Sequence, residues 1–503
     1  MKYLNSSDIN LIFYGIYIIK FFLETNNLEE NAIDILNDQL NDEYLLLLTN
    51  LLNKNNNKLS YEILYILTII SYTDKGELLF GQEEKVIFNI SSFLGNNRKD
   101  INLLNKGILL IKNITNKNSF VKKALQKYNI ISFFNEIYEK YIFEKNFMNN
   151  LIICLGHFIK SRFGDNNILC SIKIIKSQLY LNLPAETLFR YVYILYELSY
   201  YNKPEVFETM IKYQIQKDFM NIYPFEENNK ENKINEQDKI ENKEEKENNY
   251  PRKLRLIIIK LLGKIMSSNN DSITRKVMES GISKFLNKLF QSTDIKIIKN
   301  TFYCLSNICA GTCGQLLDLY INFTINEAFK VAEYIYETLD TNNKFLISLI
   351  NDDYIKTFRE INYIISLVII NSLYDQIMPY ARNHNFVIVK ILIKGIKIFS
   401  ENYIDKNKTV ISLILNAISK LNSFIMNEGE EEIIKYNNNI IFSEFLEQNG
   451  FKEILEKLET NSDENIADLA EGLYDEIYGN DDENNNNEDI NINDIIDESG
   501  DDE

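Results

Sequence analysis

The chain has 503 residues, more than one ordinary core serves, so several domains or one array of repeats is expected. Hydrophobic residues make up 45%, ample for burial, while only 5 Pro and 17 Gly argue against a strand-rich fold with many turns. The formal charge of -18 disfavours phosphate backbones and favours basic partners, which sets direct nucleic-acid binding aside. The first element is residues 9–23, INLIFYGIYIIKFFL. It contains Lys20, follows Asp8 and lacks a small-residue cleavage site. It therefore reads as a first repeat helix capped by Ser7 or Asp8 rather than a signal anchor. No other run is read as reaching membrane length, and a soluble, unsecreted chain is expected.

Residues 43–52 (EYLLLLTNLL) form a packing helix, and the Asn-rich stretch 53–58 is a polar turn. The helix SYEILYILTIIS then ends at Ser71. Similar helices end at Asn116 (NKGILLIKNITN), Lys160 (NNLIICLGHFIK) and Tyr200 (FRYVYILYELSY). Residues 85–94 and 133–142 repeat the packing role. At residues 226–249 the character changes to Glu, Asn and Lys, with too little apolar area to offset ordering entropy. This reads as a disordered insertion between repeats 1–225 and 250–479, or as a solvated charged helix. Helices resume with LIIIKLLGKIMS, ending at Ser267, and with residues 294–312, DIKIIKNTFYCLSNICAGT, which Ala310 and Gly311 should stop. FREINYIISLVII ends at Ile370, and residues 340–343 read as a lengthened turn before it. Residues 442–479 hold two helices about a turn at 460–463, with polarity rising as a capping repeat needs. The tail, 480–503, carries eleven Asp or Glu and no Lys or Arg and reads as disordered.

Tyr303 and Asn307 are four apart and share a helix face away from Ile298 and Leu305. A ring beside an amide can grip an extended peptide, the ring on an alkyl stem and the amide on the backbone. The same two residues also read as a buried tyrosine and a helix-bending asparagine. The positions matching Tyr303 are Tyr65, Leu109, Ile153, Tyr193, Lys260 and Tyr363. The first four are spaced by 44, 44 and 40 residues, and Lys260 to Tyr303 is 43. A helical period of about 40 to 45 is the mark of armadillo or HEAT arrays, whose units bury their apolar faces by stacking. The five cysteines, Cys154, Cys170, Cys304, Cys309 and Cys313, lie in or just after apolar helices and read as buried reduced thiols. No C-x-x-C pair, phosphate-cradling Gly loop or plausible triad is present, so no metal, cofactor or catalytic residue is expected and the chain is not read as an enzyme.

SYEILYILTIISYT and KNTFYCLSNICAGT resemble the third helices of importin alpha armadillo repeats, where Trp, then Asn four residues on, precede a small-residue and Gly turn. NGFKEILEKLETNSDENIADLAEGLYDEIYG resembles that family's last repeat, and the likeness in layout spans nearly the whole chain. The resemblance implies an all-α armadillo solenoid, a right-handed superhelix of about ten repeats with third helices lining a concave groove. It implies an adaptor that binds lysine-rich nuclear localisation signals for import, working in cytoplasm and nucleus. An export receptor on the C-terminal repeats would be a further partner, with no membrane involved.

Carried over by residue, the major-site region is degenerate. Tyr65 stands for the first Trp, with Glu62 beside it, and Ile69 for its Asn; Leu109 stands for the second Trp and Asn113 is kept. Lys117 falls where the family places an Asp, and Ile153 and His157 replace the third pair. The minor-site region keeps Tyr303, Asn307, Tyr363 and the acid Glu360, with Leu367 for the last Asn. The family's basic importin-beta-binding segment has no counterpart before the first repeat, since residues 1–7 hold one Lys, so importin beta is a doubtful partner. The alternative is an armadillo scaffold for other proteins, without import activity.

Overall fold

The computed structural model describes residues 3–25, 42–54, 56–161, 169–179, 182–201, 203–224, 249–268, 270–341, 352–372, 376, 386–402, 404–428 and 441–479. Their regular elements are helices, in two compact units, Met1–Ser268 and Asn269–Glu503. In the first unit α1 (Ile9–Thr25) is followed by α2 (Asp42–Leu51) and α3 (Asn57–Ile70). Two full triplets come next, α4 (Asp74–Phe80), α5 (Glu84–Asn96) and α6 (Ile101–Thr115), then α7 (Ser119–Lys127), α8 (Ile130–Ile137) and α9 (Lys145–Lys160). The unit closes with α10 (Cys170–Leu179) and α11 (Ala185–Ser199), then α12 (Pro204–Lys212), α13 (Ile215–Ile222) and α14 (Tyr250–Met266).

The second unit holds α15 (Asp271–Glu279), α16 (Ile282–Leu289) and α17 (Ile295–Cys309), then α18 (Cys313–Ile321), α19 (Thr324–Thr341) and α20 (Asp352–Asn371). It continues with α21 (Val387–Asn402) and α22 (Ile404–Glu428) and ends with α23 (Phe442–Gln448), α24 (Phe451–Glu459) and α25 (Glu464–Tyr478). The last helix of each group packs on that of the next. The row α1, α3, α6, α9, α11 and α14 runs through the first unit, and α17, α20, α22 and α25 through the second. This is the armadillo-repeat solenoid.

Local chemistry accounts for the punctuation. The polar turns supply N-caps, with Asn56, Asp100, Asn249, Asp294 and Asp463 accepting from backbone amides at the starts of α3, α6, α14, α17 and α25. Asp8 accepts from the amide of Asn10 at 2.8 Å, so it is the cap of α1. A left-handed residue sits between first and second helices in five repeats: Asn129, Gln214, Gly281, Phe323 and Gly450. The period is written directly in side-chain bonds between repeats. Lys20 to Glu62, Asn113 to Ser71, Thr115 to His157 and Tyr201 to Ile159 each span 42 residues. In the second unit the spans lengthen, 54 from Lys299 to Asp353 and 52 from Tyr320 to Ser372.

Two expectations change, and a third holds for a reason of its own. Asp340 and Thr341 are not in a turn but end α19, whose 18 residues absorb part of the extra length. Gly311 does not have the positive φ of a left-handed stop. A Cβ there would lie 1.8 Å from Oε1 of Gln315 and displace the side chain that completes the capping box of α18. A second run, Asn407–Asn427, does reach membrane length by composition, but 56% of its apolar window is buried and α22 packs between α20 and α25. Of the 226–249 insertion only Asn249 lies within the described residues, and the acidic tail lies outside them.

Candidate functional site: the face of the third helices

The register positions fall on one face. Tyr65, Leu109, Ile153, Tyr193, Tyr303 and Tyr363 are half-buried and Lys260 is exposed, each next to fully buried neighbours on its helix. Leu110 and Ile152 are buried, whereas Leu109 and Ile153 keep solvent contact. Four residues on, Ile69, Asn113, His157, Glu197, Lys264 and Asn307 are again half-buried, and only Leu367 is covered. Two parallel rows of side chains are thus accessible along the stacked helices of the first unit, and Tyr303, Asn307 and Tyr363 are accessible in the second.

In the first unit the rows are occupied from within. Lys20 of α1 places its Nζ 2.8 Å from Oε2 of Glu62 and 5.2 Å from the centre of the Tyr65 ring. Lys106 of α6 stands over the same ring at 5.2 Å and over Tyr61 at 5.5 Å. An ammonium on a ring face beside a carboxylate is what a bound lysine would make there. Asn113 donates to Oγ of Ser71 at 3.0 Å. Glu62, Tyr65 and Asn113 are therefore all engaged by this chain's own side chains.

Further along, α11 presents an aromatic ladder. The rings of Phe189, Tyr193, Tyr196 and Tyr200 follow one another with centroids 5.1–6.5 Å apart, and Lys160 stands over Tyr193 and Lys264 over Tyr200, each at 5.2 Å. A hydrogen bond to Glu197, with burial second, pushes the Tyr193 phenol up to about 12. Sequence reasoning marked Tyr193 but missed its partners. Helical spacing from Tyr193 (four before, then three, four and seven after) would have found Phe189, Tyr196, Glu197 and Tyr200.

In the second unit α17 and α20 pack side by side and bring the minor-site-like residues onto neighbouring helices. Asn371 donates to the carbonyl of Cys309 at 3.3 Å, tying their C-terminal ends together, and Lys299 pairs with Asp353 at 2.5 Å nearer their N-termini. Phe302, 1% exposed, packs edge-on to Phe290 and holds the α17 register from behind. Asn307 donates back to the backbone carbonyl of Tyr303 at 3.0 Å. Glu360 lies 3.0 Å from Arg359, a partly exposed pair that contributes little. Burial, with Glu360 second, raises the Tyr363 phenol.

The cysteines behave as small apolar groups. Cys154, Cys304 and Cys309 are buried, and burial pushes the Cys154 thiol up to about 12 and the other two higher still. Burial likewise pushes Cys170 up to about 11.

No family model and no curated protein matches this sequence. Solved structures do. An engineered protein superposes with a TM-score of 0.60 at 14% identity, covering 95% of this chain and 97% of its own. A structure from work on a phosphorylation switch between cadherin and β-catenin gives a TM-score of 0.67 at 10% identity, over 95% of this chain and 85% of that one. A designed armadillo repeat protein matches at 16% identity with a TM-score of 0.39, over 60% of this chain and 98% of its own. These likenesses concern the fold.

Proposed function

We propose that this protein is an armadillo-repeat scaffold that holds an extended segment of a partner protein against the third helices, gripped in the second unit by Tyr303, Asn307, Glu360 and Tyr363. The observation that carries this reading is that Tyr303, Asn307, Glu360 and Tyr363 all keep solvent access on two helices, α17 and α20, that pack together. A segment laid across α17 and α20 would rest aliphatic stems on the two phenol rings and offer its backbone to the amide. The β-catenin match supports the reading at the level of fold, since that structure concerns the binding of a protein partner.

A second reading, an adaptor for lysine-rich nuclear localisation signals moving between cytoplasm and nucleus, is favoured by Glu360 next to Tyr363 and by the net charge of -18. The filling of Tyr65 and Glu62 by Lys20 and Lys106 weighs against it in the first unit.

Selection of binders from a random peptide library by the full chain tests both readings. Binders should emerge whose affinity Asn307→Ala weakens by about 1–3 kcal/mol, as loss of a backbone-directed hydrogen bond would. Enrichment of spaced lysines among them would favour the import adaptor. An Asn307→Ala protein that binds every selected peptide as tightly as the wild type would remove the proposed site.

A further inference from the structure

Some partly buried lysines of the first unit meet a carboxylate, as Lys20 meets Glu62 and Lys176 meets Asp218. Three other lysines, the half-buried Lys112, the buried Lys122 and the exposed Lys160, converge where α6, α7 and α9 meet and do not. Lys112 donates to Oδ1 of Asn150 at 3.0 Å. Lys122, only 6% exposed, donates to Oγ of Ser161 at 2.7 Å, which leaves two of its three protons unused by protein acceptors. Lys160 stands over the Tyr193 ring. Among the described residues none of the three has a carboxylate within ion-pair distance. Between them lies His157, its Nδ1 3.1 Å from Oγ1 of Thr115. Burial lowers the proton affinity of Lys112 and Lys122, with Arg190 adding to the effect on Lys112 and Lys160 to that on Lys122. A concentration of cations without carboxylates is unexpected on a chain of net charge -18, and for the buried Lys122 and half-buried Lys112 it is expensive unless something anionic visits.

We propose that the cluster of Lys112, Lys122, His157 and Lys160 receives an acidic side chain, carboxylate or phosphate, of an extended partner peptide lying on the third helices of the first unit. The proposal rests on the peptide-scaffold reading and gives the first unit the opposite charge preference from a lysine-signal groove. A peptide is favoured over a nucleic acid because the acidic surface elsewhere repels a long polyanion but tolerates a short acidic segment.

The probe is a labelled short peptide of alternating Glu and Ser, titrated with the full chain at physiological salt beside its Gln-for-Glu counterpart, its phosphoserine counterpart and oligo-dT. The Glu peptide is expected to bind at least about tenfold more tightly than the Gln peptide, and Lys112→Gln/Lys160→Gln to lose about tenfold or more. Tighter binding of the phosphoserine peptide would support the site and assign phosphate as its source. His157 gives an independent readout. It faces Lys112 and Thr115 from α6, Lys122 from α7, and Cys154 and Lys160 on its own helix, with Arg190 of α11 acting on Lys112. Its imidazole resonance, assigned with His157→Gln, should titrate at higher pH when the Glu peptide is bound. Equal binding of the Glu and Gln peptides, wild-type affinity in the double variant, or an unmoved His157 would overturn the proposal. So would tighter binding of oligo-dT than of either acidic peptide. Selected peptides that depend on Asn307 would still support the scaffold reading in that event, so the two fail separately.

Discussion

Replacing Lys176 by Met is expected to lower the stability of the first unit by about 3–5 kcal/mol, the usual result of removing one partner of a buried ion pair. Lys176 of α10 lies 2.5 Å from Asp218 of α13, and the Asp218 side chain is 3% exposed. Burial raises the Asp218 carboxyl even though the ammonium opposes it, so the pair does not recover the full cost of its desolvation. Lys176→Met would leave that carboxylate buried without its ammonium partner. The double variant Lys176→Met/Asp218→Leu should recover most of the loss, since an apolar pair of similar volume is often as stable. Repeat arrays lose structure locally first, so hydrogen exchange in α10 and α13 is the sharper measurement, with urea unfolding beside it. A single variant with unchanged protection in both helices would contradict this role for the pair.

Acid should destabilise the same unit through His157. Burial, with Lys122, Lys160 and Lys112 after it, pushes this imidazole from 6.5 down to about 4. The unfolded chain therefore takes up a proton between pH 6.5 and 4 that the folded chain refuses. Stability is fully present above the upper value and falls as the pH drops towards the lower one. At about 1.4 kcal/mol per pH unit the whole effect is about 3 kcal/mol, of which about 2 is felt by pH 5. In His157→Gln that fall should vanish from the difference between unfolding measured at pH 7 and at pH 5. A wild type and variant that weaken in parallel over this interval would show that His157 is solvated.

The repeat architecture was legible because stacking leaves a periodic record. The buried stripe, the Asn and Asp caps and the small-residue ends recur every 40 or 44 residues in the first unit, and the register positions taken from that spacing do share one accessible face. Register says which residues look outwards, not what reaches them. Lys20 sits 42 residues before Glu62, and its long stem crosses from the preceding repeat to fill the Tyr65 site. Nothing in the local sequence about Tyr65 announces this. The unmatched lysines were hidden for a related reason. Lys112 and Lys122 belong to two helices other than that of His157 and Lys160, and only stacking brings them there. Gly311 was read correctly as a helix end, but the Gln315 side chain that packs against it belongs to the next helix. The length of the second unit's repeats was visible as a gap, while its placement partly in α19 depended on packing.

The most direct test uses a photo-cross-linking benzoylphenylalanine in place of Tyr303, or separately of Tyr65, with a library-selected peptide free of acidic runs. Cross-linking from position 303, lost on competition with unlabelled peptide, and none from position 65 is the expected result. It would place the peptide on α17 and α20 and leave the Tyr65 site to Lys20. Cross-linking from position 65 with none from position 303 would contradict the central claim and return peptide binding to the first unit.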